Sequence, residues 1–191
     1  MSKKEDIINT ALNLFNSHSY NSIGVDRIIS ESGVAKMTFY KYFPNREAFI
    51  CYLGIKFIEQ QTESIRKVIA SMPPDAPLER VIPAMIESSV EDWSTNRGAR
   101  ALQGIFVLNP VLYAEYSQSS QDVAEALRPF MAVWNIKGSF ADWQRMHSVF
   151  GDCAIVLFDR AVKAEPAEQV RLIAELKALA VAYFKTAVTP S

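Results

Sequence analysis

Apolar positions recur at helical spacing along the whole chain. Ile7, Ile8, Ala11, Leu12 and Phe15 fall on one face of a first helix. Ser2 and Glu5 stand three apart before it, the spacing of a capping box, so this helix is expected to begin near Ser2. His18 to Ser22 interrupts the pattern. A short helix is predicted over 25–32, closed by Gly33, because glycine accepts the positive φ that ends many helices. A second is predicted over 34–42 and stopped by Pro44, since the residue before proline is disfavoured in the α region. Asn45 can cap a long helix over 46–71, with Phe49, Leu53, Phe57 and Ile58 on one face. Met72-Pro73-Pro74-Asp75-Ala76-Pro77 is the clearest break. Beyond it the pattern predicts helices over 78–96, 100–108, 111–133 with a kink near Pro129, 139–164 and 166–188. No strand pattern, internal repeat or low-complexity tract interrupts them, so the expected class is all-α.

The last two predicted helices are apolar over more than one side. Phe140, Trp143, Met146, Phe150, Leu157, Phe158 and Ala161 widen the first; Leu176, Ala180, Tyr183 and Phe184 widen the second. A helix that is apolar nearly all round must be covered nearly all round. The expectation is a subunit interface of helices packed on helices through Leu157, Phe158, Ala161, Leu176, Ala180, Tyr183 and Phe184. Filling of the chain's own core is the competing reading.

Composition narrows this picture rather than changing it. The chain has 191 residues, enough for one domain with a small one attached. Forty-nine per cent apolar and 21% charged residues exclude bulk disorder. The net charge of −1 argues against a protein that coats nucleic acid, but leaves room for a local DNA-binding face. The start of the chain lacks the long apolar core of a signal peptide, and no uninterrupted apolar run reaches the roughly 18 residues of a membrane span. Cys51 and Cys153 sit in apolar sequence and read as free core thiols, which fits a reducing cytoplasm. No His-rich or paired-carboxylate spacing suggests a metal, and no nucleophile-base constellation or Gly-rich phosphate loop suggests an enzyme or a cofactor.

The informative chemistry lies between residues 25 and 43. A short helix, a turn and a second short helix make a helix-turn-helix arrangement. In the second helix Phe39 and Phe43 share a face that can pack inward. Lys36, Thr38, Tyr40, Lys41 and Tyr42 remain for other surfaces. Two cations, a hydroxyl and two phenols within two turns suit phosphate contacts and base edges in a major groove. Residues 1–50 carry six basic and five acidic side chains, so this head is only faintly basic. One head alone should bind DNA weakly. Two heads on half-sites about 34 Å apart would gain affinity by avidity.

The stretch Gly33-Val34-Ala35-Lys36-Met37-Thr38-Phe39-Tyr40-Lys41-Tyr42-Phe43-Pro44-Asn45-Arg46-Glu47-Ala48-Phe49 resembles the tetracycline-repressor (TetR) family of transcriptional regulators. The family pattern is similar to G-V-S-K-G-T-L-Y-x-Y-F, followed after one residue by Ser, Thr or Asn and then K-E-x-L. Upstream, Ile8, Ala11, Leu14-Phe15 and Tyr20 match the family's first helix and turn. Ser19, Ile23-Gly24 and Arg27 depart from it, and Gly24 in place of a hydroxyl removes an expected hydrogen bond to phosphate. The resemblance covers residues 7 to 58; the rest matches in length and helix order alone. It implies a three-helix DNA-binding domain over 1–47 and a helical ligand-binding and dimerisation domain over 48–191. It also implies that Lys36, Met37 and Thr38 lie near bases and phosphates, that Tyr40 donates to a phosphate, that Lys41 projects into the groove, and that Tyr42 and Arg46 clamp the backbone. Arg27 or Ser22 could supply the phosphate hydrogen bond that Gly24 cannot make.

Helical bodies can enclose an apolar pocket with a few polar groups. The candidate lining residues are Trp93, Phe106, Tyr113, Tyr116, Trp134, Trp143, His147 and Phe150, with Phe130 beside them. Plain core packing competes with a ligand role at each. Arg100 and Arg128 bracket a stretch without arginine, which favours an apolar or aromatic effector. The reading is a cytoplasmic homodimer that binds a double-stranded DNA operator and releases it when a small molecule binds the body and shifts the helix over 46–71. The alternative is a helix-turn-helix protein controlled by a protein partner or by no effector.

Overall fold

The computed structural model describes residues 2–18, 20–96, 98 and 101–189. Ser19, Arg100 and the Tyr20 side chain lie outside the described residues. The fold is all-α: an N-terminal helix-turn-helix head followed by a helical bundle. In chain order the helices are α1 (Lys3–Ser17), α2 (Val25–Ser32), α3 (Lys36–Tyr42), α4 (Arg46–Ser71), α5 (Leu78–Thr95), α6 (Pro110–Ala126), α7 (Phe130–Val133), α8 (Phe140–Lys163) and α9 (Pro166–Lys185).

The helix ends show why the sequence breaks where it does. Ser2 Oγ accepts from the Glu5 amide at 3.3 Å, and Glu5 accepts from the Ser2 amide at 2.7 Å. This capping box satisfies two amides that α1 leaves free, and these hydrogen bonds hold the Glu5 carboxyl below its usual range. Ser139 and Asp142 repeat the arrangement at α8. Asn45 Oδ1 accepts from the Ala48 amide at 2.8 Å and caps α4. Gly33 closes α2 with φ of 66°.

Three predicted elements differ. No helix spans 100–108 among the described residues; turns surround a short 3-10 turn at Gln103–Ile105. Gly104 weakens a helix here, while Leu102, Ile105 and Phe106 reach the interior from the tighter winding. The helix predicted over 111–133 is broken at 127–129, where Pro129 starts the four-residue α7. The end of α9 also gives way sooner than expected. Val188 forms an isolated antiparallel bridge with Ile136, and Lys137 donates to the Ala187 carbonyl at 2.7 Å.

The chain divides into two compact units. The first comprises Met1–Phe57 and Trp93–Tyr113; the second comprises Ile58–Asp92 and Ala114–Ser191. The first unit therefore extends beyond a boundary at residue 47 and takes in a later segment. Its core contains Ile7, Phe15, Ile28, Phe39, Phe43, Phe49 and Phe57 from the head, with Leu102, Phe106 and Leu112 from that segment. Phe57 and Phe106 rings lie 6.4 Å apart. Two close approaches require glycine. A Cβ on Gly54 would lie 2.6 Å from Leu112 Cδ2, and one on Gly98 would lie 2.3 Å from the Leu12 carbonyl oxygen. The second unit has its own core of Ile69, Leu78, Val81, Ile82, Leu127, Trp134, Trp143, Leu176 and Phe184.

Two further expectations change. Cys51 is half-buried, and burial pushes its thiol upward. Cys153 is exposed, so it is not a core thiol. Its apolar sequence neighbours Ala154 and Ile155 turn inward while Cys153 faces out.

Candidate nucleic-acid interface

The head is built on an aromatic wedge. Phe39 of α3 lies 5.6 Å from Phe43 and 5.4 Å from Phe49, and Phe43 lies 4.7 Å from Phe49. All three rings are buried. The wedge joins α3 to the start of α4, with α1 and α2 packed against it through Ile7, Phe15 and Ile28. Lys4 extends its ammonium over the Tyr52 ring at 4.1 Å, a cation–π contact.

With Phe39 and Phe43 committed inward, the other side chains of α3 turn outward. Met37 is 86% exposed, Tyr40 41% and Tyr42 40%. Lys36 and Lys41 are exposed and Thr38 is half-buried. The Tyr40 ring stands edge-on to Phe39 at 5.4 Å, which fixes its direction while leaving its surface open. Of the residues predicted at this surface, Lys36, Met37, Thr38, Tyr40, Lys41 and Tyr42 lie on α3 and Arg46 at the start of α4, while Arg27 stands apart on α2.

The charges are less free than the sequence suggests. Lys36 Nζ reaches Asp26 Oδ1 at 3.1 Å, and this hydrogen bond raises the Lys36 pKa above its ordinary value. Arg27 Nε reaches Glu31 Oε1 at 2.8 Å along α2. Arg46 Nε donates to the Ile23 carbonyl at 3.3 Å. That bond ties the start of α4 to the second residue before α2. The exposed Lys36–Asp26 and Arg27–Glu31 pairs are weak and can be exchanged for phosphate at little cost. Gly24 caps α2 with no side-chain hydrogen bond, consistent with the missing hydroxyl.

The predicted ligand residues are divided between the two units. Trp93, Phe106 and Tyr113 belong to the first, where Trp93 and Phe106 are buried and Tyr113 is 39% exposed. Tyr116, Trp134, Trp143, His147 and Phe150 belong to the second. There Trp134 Nε1 donates to the Ala76 carbonyl at 2.8 Å, and the Tyr116 hydroxyl donates to the Gly151 carbonyl at 2.8 Å. Trp143, His147 and Phe150 surround Phe184, with ring centres 5.2, 4.7 and 5.2 Å from it. Trp143 Nε1 and His147 Nε2 are buried and have no hydrogen-bond partner among the described residues. Burial lowers the His147 pKa to about 3, so its ring is neutral.

A surface groove of about 510 Å3 lies on the second unit, lined by Arg66, Ile69, Met72, Ala126 and Phe130 among others. Of the predicted body aromatics Phe130 alone lines it. Sequence reading missed Arg66 and Met72, because nothing in their spacing marks a groove.

The proposed interface residues also divide. Leu176, Ala180 and Phe184 are buried within the chain's own second core and Ala161 is buried as well; Leu157, Phe158 and Tyr183 are half-buried and pack on that core. Among the described residues the large apolar side chains of α8 and α9 that stand open are Val149, Val156, Val170 and Leu179. Period identified the apolar helices but not which stripe the chain covers itself.

A glycine-closed pair of short helices on a sealed three-helix core, with cations and phenols outward, defines a helix-turn-helix head. Residues 7–51 match the model of bacterial regulatory proteins of the tetR family. It is 32% identical over 88 residues to an uncharacterised HTH-type transcriptional regulator, YerO, of Bacillus subtilis (strain 168), covering 44% of this chain and 30% of that protein. The chain spans about a third or less of the length of the curated relatives it matches. The fold is similar to that of Thermus thermophilus FadR, a TetR-family transcriptional repressor solved in complex with lauroyl-CoA: TM-score 0.70, 19% identity, 98% of this chain and 96% of that one. It is also similar to RolR, solved with its ligand resorcinol: TM-score 0.64, 16% identity, 98% and 94% coverage. The family consists of regulators and not of enzymes.

Proposed function

We propose that this chain is a dimeric, sequence-specific DNA-binding repressor that leaves its operator when a small apolar or aromatic effector binds the body. The observation that carries the DNA-binding half is the division of α3. Phe39 and Phe43 hold it against the head, and Tyr40, Lys41 and Tyr42 are left open beside Arg46. Lys36 and Lys41 supply cations for phosphates, and Tyr40 and Tyr42 supply phenolic donors.

The effector half is supported by Trp143 and His147. Two buried polar atoms without partners among the described residues, one turn apart on α8, would each gain a hydrogen bond from a molecule with polar atoms and an aromatic or apolar body. A neutral His147 favours an uncharged molecule there. The dimer is supported by the open apolar side chains on α8 and α9. Coupling would run along helices α4, α5 and α6, each of which passes from one compact unit to the other. Such a regulator would work in the cytoplasm; among the described residues no helix is long and apolar enough to cross a membrane.

The deciding experiment is selection from a random duplex library with the full-length chain, followed by binding to the enriched site across a salt series. Tyr40→Ala and Lys41→Ala should each weaken binding, and Lys41→Ala should also flatten the salt slope by about one charge. Unchanged binding in both variants would remove α3 from the interface. Resorcinol and other neutral phenols should raise the unfolding midpoint and release the site, and both effects should vanish in Trp143→Phe combined with His147→Phe. DNA release by none of them would leave a DNA-binding protein answering to another signal. Sedimentation of Val156→Glu should show monomer where the parent chain is dimeric.

A further inference from the structure

The leading turn of α3 holds a side chain that the head does not need for folding. Met37 is 86% exposed, while the inward positions of the helix are taken by Phe39 and Phe43. The residue before the helix, Ala35, has no side-chain hydrogen-bonding group, and the adjacent Lys36 is engaged by Asp26 at 3.1 Å. The end of α3 that would enter a groove first therefore presents a thioether with a terminal methyl, beside the hydroxyl of Thr38.

We infer that Met37 reads the C5-methyl group of a thymine, and so fixes a T at one position of each operator half-site. The inference rests on the DNA-binding reading above and deepens it. A methionine side chain cannot match a pattern of strong donors and acceptors. In the major groove the one apolar feature that separates the four bases is the thymine methyl. Methionine is flexible and polarisable enough to lie against it from an imperfectly positioned backbone. Contact would also take the exposed thioether out of water, which is favourable in proportion to the apolar area covered. The neighbouring cations and phenols supply register without sequence information. In this division of labour Met37 specifies and Lys41, Tyr40 and Tyr42 position.

The test uses the full-length chain and the duplex it enriches from a random library. Each thymine of that duplex is replaced in turn by deoxyuridine, which removes the methyl and nothing else. Affinity is read by fluorescence anisotropy at one fixed salt concentration. With the parent chain, one thymine per half-site should lose affinity roughly four-fold on replacement, the scale of one methyl removed from an apolar contact. With Met37→Ala that position should become indifferent to the replacement, whereas the other thymines should behave as before. Met37→Leu should retain most of the discrimination. The variants should fold, since the side chain is exposed, and an unchanged unfolding midpoint checks this. Deoxyuridine without effect at every position, or a penalty that persists in Met37→Ala, would overturn the role of Met37 while leaving DNA binding intact. A library from which nothing is enriched would overturn the DNA-binding reading, and this inference with it.

Discussion

The head and the body are both held by aromatic clusters, but they treat polar atoms in opposite ways. In the head, Phe39, Phe43 and Phe49 form a core of hydrocarbon, and the phenols and cations lie outside it. In the body, Trp143 and His147 carry nitrogen atoms into the interior around Phe184 and leave two of them unpartnered among the described residues. A sealed core with chemistry on its surface suits recognition of something larger than the protein fold can enclose. A core with unsatisfied polar atoms carries a desolvation cost that the hydrocarbon core avoids. Trp134 sharpens the contrast, because its indole is equally buried yet donates to the Ala76 carbonyl. Aromatic content alone does not separate the two regions. Whether each polar atom has a partner does.

The largest expected effect asks whether both cores are close-packed. Phe39→Ala in the head and Phe184→Ala in the body should each lose about 3–5 kcal/mol in denaturant unfolding. A loss under about 1 kcal/mol at either site would break the claim for that region.

The next effect belongs to the body alone. His147 is neutral when folded, with a pKa of about 3, and is near 6.5 when unfolded. Above pH 6.5 neither state takes a proton, so stability is fully present. Below it the unfolded chain is protonated and the folded one is not, so stability falls by about 1.4 kcal/mol per pH unit until about pH 3. Unfolding measured at pH 7.5 and 5.5 should show this slope in the parent chain and lose it in His147→Phe. An equal slope in both would place the titrating group elsewhere.

Helix caps should treat the regions alike. Ser2→Ala and Ser139→Ala each remove a capping box and should cost about 1 kcal/mol, read from unfolding midpoints. The smallest effect lies on the head surface. Lys36→Ala breaks an exposed pair and should leave the unfolding midpoint unchanged, while lowering DNA affinity to the same extent on all sequences.

The head was legible in the sequence because its determinants are contiguous. The capping pair Ser2 and Glu5, the Gly33 turn and the spacing of Phe39 and Phe43 are local, and each predicts geometry without knowledge of distant residues. The body was legible as helices but not as a site. Leu176, Ala180 and Phe184 have the period of a buried face, yet what buries them is their own core, and only tertiary packing decides that. Cys153 sits among apolar neighbours and still faces outward, because exposure follows helix phase rather than local composition. The stretch after Arg100 has helical spacing but winds as turns, since three side chains reaching the core satisfied the same period. The ion pairs of Lys36 with Asp26 and Arg27 with Glu31 join side chains whose counts were visible and whose orientation was not.

The second segment of the first unit has a bearing on modular exchange. Residues Trp93–Tyr113 sit in the same compact unit as the head, where Gly98 leaves no room for a Cβ against the Leu12 backbone and Gly54 leaves none against Leu112. The chain passes between the units within three helices, α4, α5 and α6, and not through flexible linkers. A chimaera that transplants only the first fifty residues would therefore bring a foreign surface against a segment tailored to this one. Heads of this architecture should transplant cleanly only with their later segment, and Gly98 should resist replacement whatever side chain stands at position 12, because it is the backbone there that it meets.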